Sequence, residues 1–264
     1  DNKVSIDGPT SLSTSENHLQ RFKACNWNAQ KINGHNFSQI YNAIKKAKLS
    51  NKPSFIACNT IIGYGSPNKQ GKNSSHGAPL GEEELKKTKK KLGWVYPAFF
   101  VPQNILKFWK KTAVKGIKIN KKWNHAFKKI NVKKRSLFLN HLKTKIPNNA
   151  FIDFKKLKAK FANSNEEIAT REASNLAIGI LSKKIPSLFG GAADLTVSNL
   201  TRSKNQQVYN NKNSKGTYLY FGVREHVMVA AMSGMSLHGG IIPYGGSFLI
   251  FTDYCRPSIR LASF

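Results

Sequence analysis

Cysteine, arginine and acidic residues are the scarce components of this sequence. Its three cysteines, Cys25, Cys58 and Cys255, are odd in number and far apart. That spacing supports neither a disulfide framework nor a cysteine-based metal site, and it points to a reducing, cytoplasmic setting. No run of about eighteen apolar residues occurs, so no transmembrane helix is expected. The first residues, DNKVSIDG, contain no apolar core of a signal peptide. The sequence opens on Asp rather than Met, as a fragment or a processed product would.

Acidic residues number 13 against 43 basic ones, for a net charge of +30. So large an excess permits a nucleic-acid partner. The basic residues are overwhelmingly lysine, however, whereas arginine is the side chain suited to bidentate contacts with bases and phosphates. The lysines spread along every helical segment and read as a surface bias. Specific nucleic-acid binding is therefore not expected.

What is present is enough apolar material for a core: 40% of 264 residues, sufficient for one large domain or two modest ones. Phe37, Ile40, Tyr41 and Ile44 recur at helical spacing, and SFIACNTII (54–62) follows as an apolar strand. Strands of this kind beside amphipathic helices indicate a parallel sheet. GEEELKKTKKKLGW places three glutamates at the start of a helix and lysines at its end, as the helix dipole favours, and Gly93 stops it. Residues 95–164 form a lysine-rich, mainly helical linker with a solvated charged face. The α/β pattern resumes at 165: a helical stripe from Ala173 to Leu181, then strand candidates LFGGAADL, TYLYFGV and IIPYGG. Met228, Ala231, Met232 and Met235 fall on one helix face as core packing, and a last helix starts near Ser247.

Four stretches carry chemistry, each with a plain and a sharp reading. GYGSPNKQGKNSSHGAP (63–79) looks like a phosphate loop. The P-loop pattern puts four residues between its glycines and ends in Lys-Ser/Thr; Gly65 and Gly71 have five between them, and Lys72 precedes Asn73. The P-loop fails, which leaves a solvated turn-rich loop carrying His76. Asp194, in GGAADLTVSNLT, is either a turn aspartate or a ligand contact at a strand end. Glu225, in YFGVREHVM, is either a helix cap or a buried acid. Phe248, Phe251 and Tyr254 are either a core stripe on one helical face or a platform for a flat heterocycle.

Taken in order, GGAADLTVSNLT, YFGVREH and PYGGSFLIFTDY resemble the start of the pyrimidine-binding domain of the transketolase family. DNKVSIDG and GYGSPNKQGKNSSHGAPL resemble the end of that family's diphosphate-binding domain, with Lys72-Asn73 where bacterial members often have Thr-His. The resemblance covers essentially the whole chain, and the linker is its least specific part. It implies an α/β, parallel-sheet thiamine-diphosphate-binding fold: the end of one domain (1–94), a mainly helical linker (95–164) and the start of a second domain (165–264).

The resemblance also implies residue roles. Glu225 would hydrogen-bond the pyrimidine ring of thiamine diphosphate and drive its tautomerisation. Phe248, Phe251 and Tyr254 would enclose that ring, and Ile6 would pack on the cofactor. His76 would reach the diphosphate and the reacting centre, and Asp194 a substrate hydroxyl and the cofactor side. Arg171 and Ser198 would bind a sugar phosphate. Asn2 and the Val4 carbonyl would ligate Mg²⁺ or Ca²⁺. The implied reaction is transfer of a two-carbon ketol unit between sugar phosphates by a cytoplasmic homodimer with no membrane partner.

The family's upstream Gly-Asp-Gly, its early substrate histidines and its C-terminal domain lie outside the sequence, so this stretch alone is not expected to turn over. Deoxyxylulose-phosphate synthase is a rival that GVREH and SNLT disfavour. Dihydroxyacetone synthase is a second rival, and a non-catalytic basic binding protein on a transketolase-like remnant is a third.

Overall fold

Asparagine starts several of the helices. Asn17, Asn36 and Asn131 each turn a side-chain oxygen onto a backbone N–H of the first turn, at 3.1, 3.0 and 2.9 Å, and so satisfy a donor that the helix itself cannot. The computed structural model describes residues 1–264 and divides them into two units, Asp1–Lys111 and Thr112–Phe264.

The first unit holds α1 (His18–Ala24), β1 (Asn28–Asn33), α2 (Phe37–Lys48), β2 (Ser54–Asn59) and α3 (Glu82–Lys91). β1 and β2 pair in parallel, from Asn28 opposite Ser54 to Asn33 opposite Asn59. Phe22 of α1 stacks on Phe55 of β2 at 4.1 Å and meets Trp27 at 5.0 Å, which fixes α1 on the sheet. Ala43 of α2 is buried, and its carbonyl accepts from the Gln30 amide of β1 at 3.1 Å. The strand expected over 54–62 ends at Asn59, and it is half-buried along its length because a two-stranded sheet leaves it at an edge. α1 and β1 do not follow from the apolar pattern: NAQKIN is too polar to stand out as a strand.

The helix α4 (Gln103–Lys129) contains the division between the units. The second unit continues with α5 (Val132–Leu142), α6 (Ile152–Ala162), α7 (Thr170–Lys184), β3 (Leu188–Ala192) and α8 (Thr196–Asn199). It closes with β4 (Tyr218–Tyr220), α9 (Glu225–His238), β5 (Ile242–Gly246) and α10 (Thr252–Ala262). The sheet order is β4-β3-β5, with both pairings parallel. This is the parallel α/β class expected. No helix is long and apolar enough to cross a membrane.

The core of this unit explains the double glycine of LFGGAADL. A Cβ on Gly190 would fall 2.0 Å from the Tyr244 ring, and one on Gly191 would fall 2.3 Å from the Phe221 ring. Aromatic rings from β5 and the end of β4 occupy the space that side chains on β3 would need. Phe221, Met228 and Ala193 form the buried cluster, with Ala231, Met232 and Met235 packed against it. The methionine face is thus core, as its spacing indicates. Tyr218 is fully buried, and its hydroxyl meets Thr196 Oγ1 at 2.9 Å and Thr201 Oγ1 at 2.7 Å.

Candidate active site

In the first unit the loop between β2 and α3 is a closed, hydrogen-bonded structure. Gly71 N–H returns to the Ile62 carbonyl at 2.8 Å, and the Lys69 ammonium donates to the Leu80 carbonyl at 2.8 Å. A short 3-10 turn, Asn73–Ser75, leads into His76, whose N–H donates to the Asn73 carbonyl at 2.8 Å. The His76 side chain is exposed and has no partner in the protein. The Asn73 amide donates to the Ile6 carbonyl at 3.1 Å. That bond brings the turn carrying His76 against the segment carrying Ile6, Asn2 and Val4, and Ile6 itself is 70% exposed.

Asn2 Oδ1 accepts from the Val4 N–H at 3.1 Å, and the Asp1 carbonyl accepts from Thr60 N–H at 3.0 Å, just beyond β2. Asn2 and Val4 therefore lie at the carboxyl end of the first sheet. A side-chain amide oxygen and a backbone carbonyl are hard donors that fit Mg²⁺ or Ca²⁺. They would fill at most two positions of such a shell, and the protein has no cluster of three or more His, Cys, Asp or Glu that could hold a metal ion.

In the second unit Asp194, Glu225 and Phe248 follow β3, β4 and β5 respectively. Three neighbouring parallel strands thus deliver all three residues to one sheet edge, the carboxyl edge where parallel sheets take ligands. Asp194 is exposed and has φ +59°, a left-handed conformation that aspartate tolerates. Glu225 opens α9, is 9% exposed, and its carboxylate has no partner in the protein. A buried residue whose carboxylate is left without a protein partner suits a group that meets a ligand.

The spacing of Phe248, Phe251 and Tyr254 predicts one helical face, and the structure corrects this. Only Tyr254 lies in α10; Phe251 sits in a preceding 3-10 turn and Phe248 on extended backbone before it. The rings still form a run, with centroids 5.6 and 5.8 Å apart. Phe248 and Tyr254 are 42% and 67% exposed, so the run is not a buried core stripe.

Arg171 lies in the first turn of α7 and Ser198 in α8, both exposed. Asn175, one turn beyond Arg171, donates to the Leu200 carbonyl at 2.6 Å and the Arg202 carbonyl at 3.2 Å. This ties the start of α7 to the segment that follows Ser198. A cavity of about 780 Å³ between α6 and α7, lined by Phe154, Leu157, Phe161, Ala173 and Ala177, contains none of the expected site residues.

Sequence reasoning misses the supports of the loop. Glu84 of α3 is buried and accepts from the Ser66 hydroxyl, from Asn68 N–H at 2.7 Å and from the Asn68 amide at 2.9 Å. Those bonds, the Ser66 hydroxyl first, hold its carboxyl down to a pKa of about 2. His35 Nε2 accepts from Ile61 N–H at 2.9 Å, and its ring stacks on Tyr64 at 4.1 Å. In the sequence Glu84 is legible only as one of three glutamates suited to a helix start.

Comparison with known families fits this geometry. Residues 1–147 match the transketolase thiamine diphosphate binding domain, and residues 166–264 match the transketolase pyrimidine binding domain. A transketolase of Sinorhizobium medicae is 42% identical over 267 residues, covering 100% of this chain and 38% of the relative. Transketolase 1 of Escherichia coli is 37% identical over 268 residues, covering 100% of this chain and 40% of the relative. The solved transketolase of Leishmania mexicana superposes with a TM-score of 0.88 at 34% identity, over 98% of this chain and 39% of that one. A Pichia stipitis transketolase solved with sedoheptulose 7-phosphate gives 0.85 at 31% identity, over 99% of this chain and 40% of that one.

Fold and site together define parallel-sheet α/β domains of the thiamine-diphosphate-binding class. The chain belongs to the transketolase family. It spans about two fifths of the length of the curated relatives it matches.

Proposed function

We propose that this chain is the cofactor-facing part of a transketolase, an enzyme that moves a two-carbon ketol unit from a ketose phosphate to an aldose phosphate. The observation that carries the proposal is the shared edge: Asp194, the unpaired buried Glu225 and the Phe248 run leave three adjacent parallel strands at the same end. Bound thiamine diphosphate supplies the nucleophilic carbon and the electron sink that break the carbon–carbon bond.

The chain's own residues bind and orient. Glu225 holds a proton toward the cofactor pyrimidine, and Phe248, Phe251 and Tyr254 stack against that ring. Ile6 packs on the cofactor. His76 and Asp194 contact the diphosphate side and the substrate hydroxyls. Arg171 and Ser198 take the sugar phosphate, where a guanidinium and a hydroxyl suit a dianion. Asn2 Oδ1 and the Val4 carbonyl give oxygen ligands to Mg²⁺ or Ca²⁺. In this reading residues 1–94 belong to the diphosphate-binding domain, 95–164 to the linker and 165–264 to the pyrimidine-binding domain. Two copies of the whole protein form a homodimer in the cytoplasm.

Sugar phosphates as substrates draw support from the Pichia stipitis relative solved with sedoheptulose 7-phosphate. The test is two-carbon transfer from that ketose by the enzyme containing this chain, with E225A as the variant. A rate lowered by roughly 100-fold or more is expected for loss of a group that positions a proton. A wild-type rate in E225A would sink the assignment.

A further inference from the structure

The glycine loop is braced from one point in α3. Glu84 takes three donors from residues 66–68, and those donors lie on the loop rather than on its own helix. Ser66 is fully buried; its Oγ donates to Glu84 and accepts from Lys69 N–H at 3.1 Å. The Lys69 carbonyl in turn accepts from the Ser75 hydroxyl at 2.6 Å. Ser75 immediately precedes His76 and closes the 3-10 turn whose Asn73 reaches the Ile6 carbonyl. A glutamate serving only the helix dipole needs no such partners. A carboxylate that takes three loop donors fixes the loop's path, because removing it strands the buried Ser66 hydroxyl and releases both Asn68 donors.

We propose that Glu84 is a positioning residue for His76. The relay Glu84–Ser66–Lys69–Ser75 sets the backbone that presents the His76 imidazole, which itself stays free of protein partners. The functional weight of this relay rests on the reading of His76 as a diphosphate contact. Preorganisation of this kind matters because a displacement of about 1 Å costs on the order of 100-fold in a catalytic site.

The deciding variants are E84Q and S75A, made in the whole enzyme that contains this chain. S75A removes the last link and leaves Glu84 with all its donors. The readout is the ring Cε1–H resonance of His76, assigned with H76A, first alone and then with thiamine diphosphate and Mg²⁺. Both variants are expected to shift or broaden that resonance and to weaken thiamine diphosphate binding by roughly 10- to 100-fold. S75A is expected to do so with only a small loss of Tm, that of one hydrogen bond. Y244F, which perturbs the other unit, leaves the resonance where it was.

An unmoved His76 resonance in S75A and E84Q, with faster amide exchange over 66–75, would mean that Glu84 only braces the loop, and the proposal falls. A moved resonance with thiamine diphosphate affinity untouched by H76A keeps the relay and overturns the reading of His76. The resonance alone decides the relay, and S75A decides it if E84Q fails to fold.

Discussion

Gly190 of the central strand lies directly under the Tyr244 ring of the neighbouring strand, so close that a Cβ there would sit 2.0 Å from Cζ. The Tyr244 hydroxyl is 2.8 Å from both the Thr201 carbonyl and Gln206 Oε1, and its single proton serves one acceptor at a time. The ring cannot slide away from an added methyl without breaking these contacts. G190A is therefore expected to destabilise the second unit by about 1–3 kcal/mol or more, and Y244F by about 0.5–1.5 kcal/mol. Urea unfolding of the two variants checks both. A double variant G190A/Y244A that is more stable than G190A alone would show that the ring is the obstacle.

The same burial raises the Tyr244 phenol to about 12 from its usual 10.0. A phenol held protonated in the folded state stabilises the fold below pH 10, and that contribution is lost as pH rises toward about 12. Stability of the wild-type chain should fall with a steeper slope than that of Y244F across this window. Equal slopes would contradict the assignment.

Glu84 predicts the opposite end of the pH scale. Its carboxyl is lowered from 4.5 to about 2 by the Ser66 and Asn68 hydrogen bonds. Its contribution is fully present above pH 4.5 and disappears as pH falls toward about 2, because the unfolded chain takes up the proton first. Denaturant midpoints of wild type and E84Q should converge on acidification through that interval. A gap that stays constant would argue against the Ser66 and Asn68 hydrogen bonds to the carboxylate.

Glu225 should show the signature of a residue kept for a ligand. Glu225 is a buried residue whose carboxylate makes no hydrogen bond or ion pair in the protein, so the fold draws no stability from its charge. E225Q is expected to leave the Tm of the ligand-free chain unchanged or raised, and to abolish most of the Tm gain that thiamine diphosphate with Mg²⁺ gives. A large loss of ligand-free stability would mean that Glu225 is a structural cap.

Arg171 separates recognition from chemistry. R171A should raise KM for phosphorylated ketoses by roughly 10- to 100-fold, the worth of about 1.5–3 kcal/mol in charged hydrogen bonds. Its kcat, and its activity on an unphosphorylated ketose, should change little. Equal losses on both substrates would remove Arg171 from the phosphate site.

Much of this architecture is legible in the residues alone. The α/β class, the helical character of residues 95–164, the methionine core face and the placement of Asp194 and Glu225 at strand ends follow from spacing and turn chemistry. β1 escapes because its residues, NAQKIN, are polar and half-exposed at the edge of a two-stranded sheet. The Phe248–Tyr254 run escapes as geometry because a three-residue spacing does not distinguish a helix from an extended residue followed by a 3-10 turn. Glu84 and Ser66 escape because their bond spans different elements, and no local pattern records a partner eighteen residues away.

The order β4-β3-β5 also has a consequence during synthesis. The central strand Leu188–Ala192 leaves the ribosome before either strand that pairs with it, and its Ile242–Gly246 neighbour comes last. At about 5–20 residues per second, β3 waits roughly 3–10 s for that neighbour with open backbone donors and acceptors. The nascent chain is therefore most exposed to mispairing in this interval, and the two glycines at the middle of the strand, poor partners for a foreign β-edge, limit the damage.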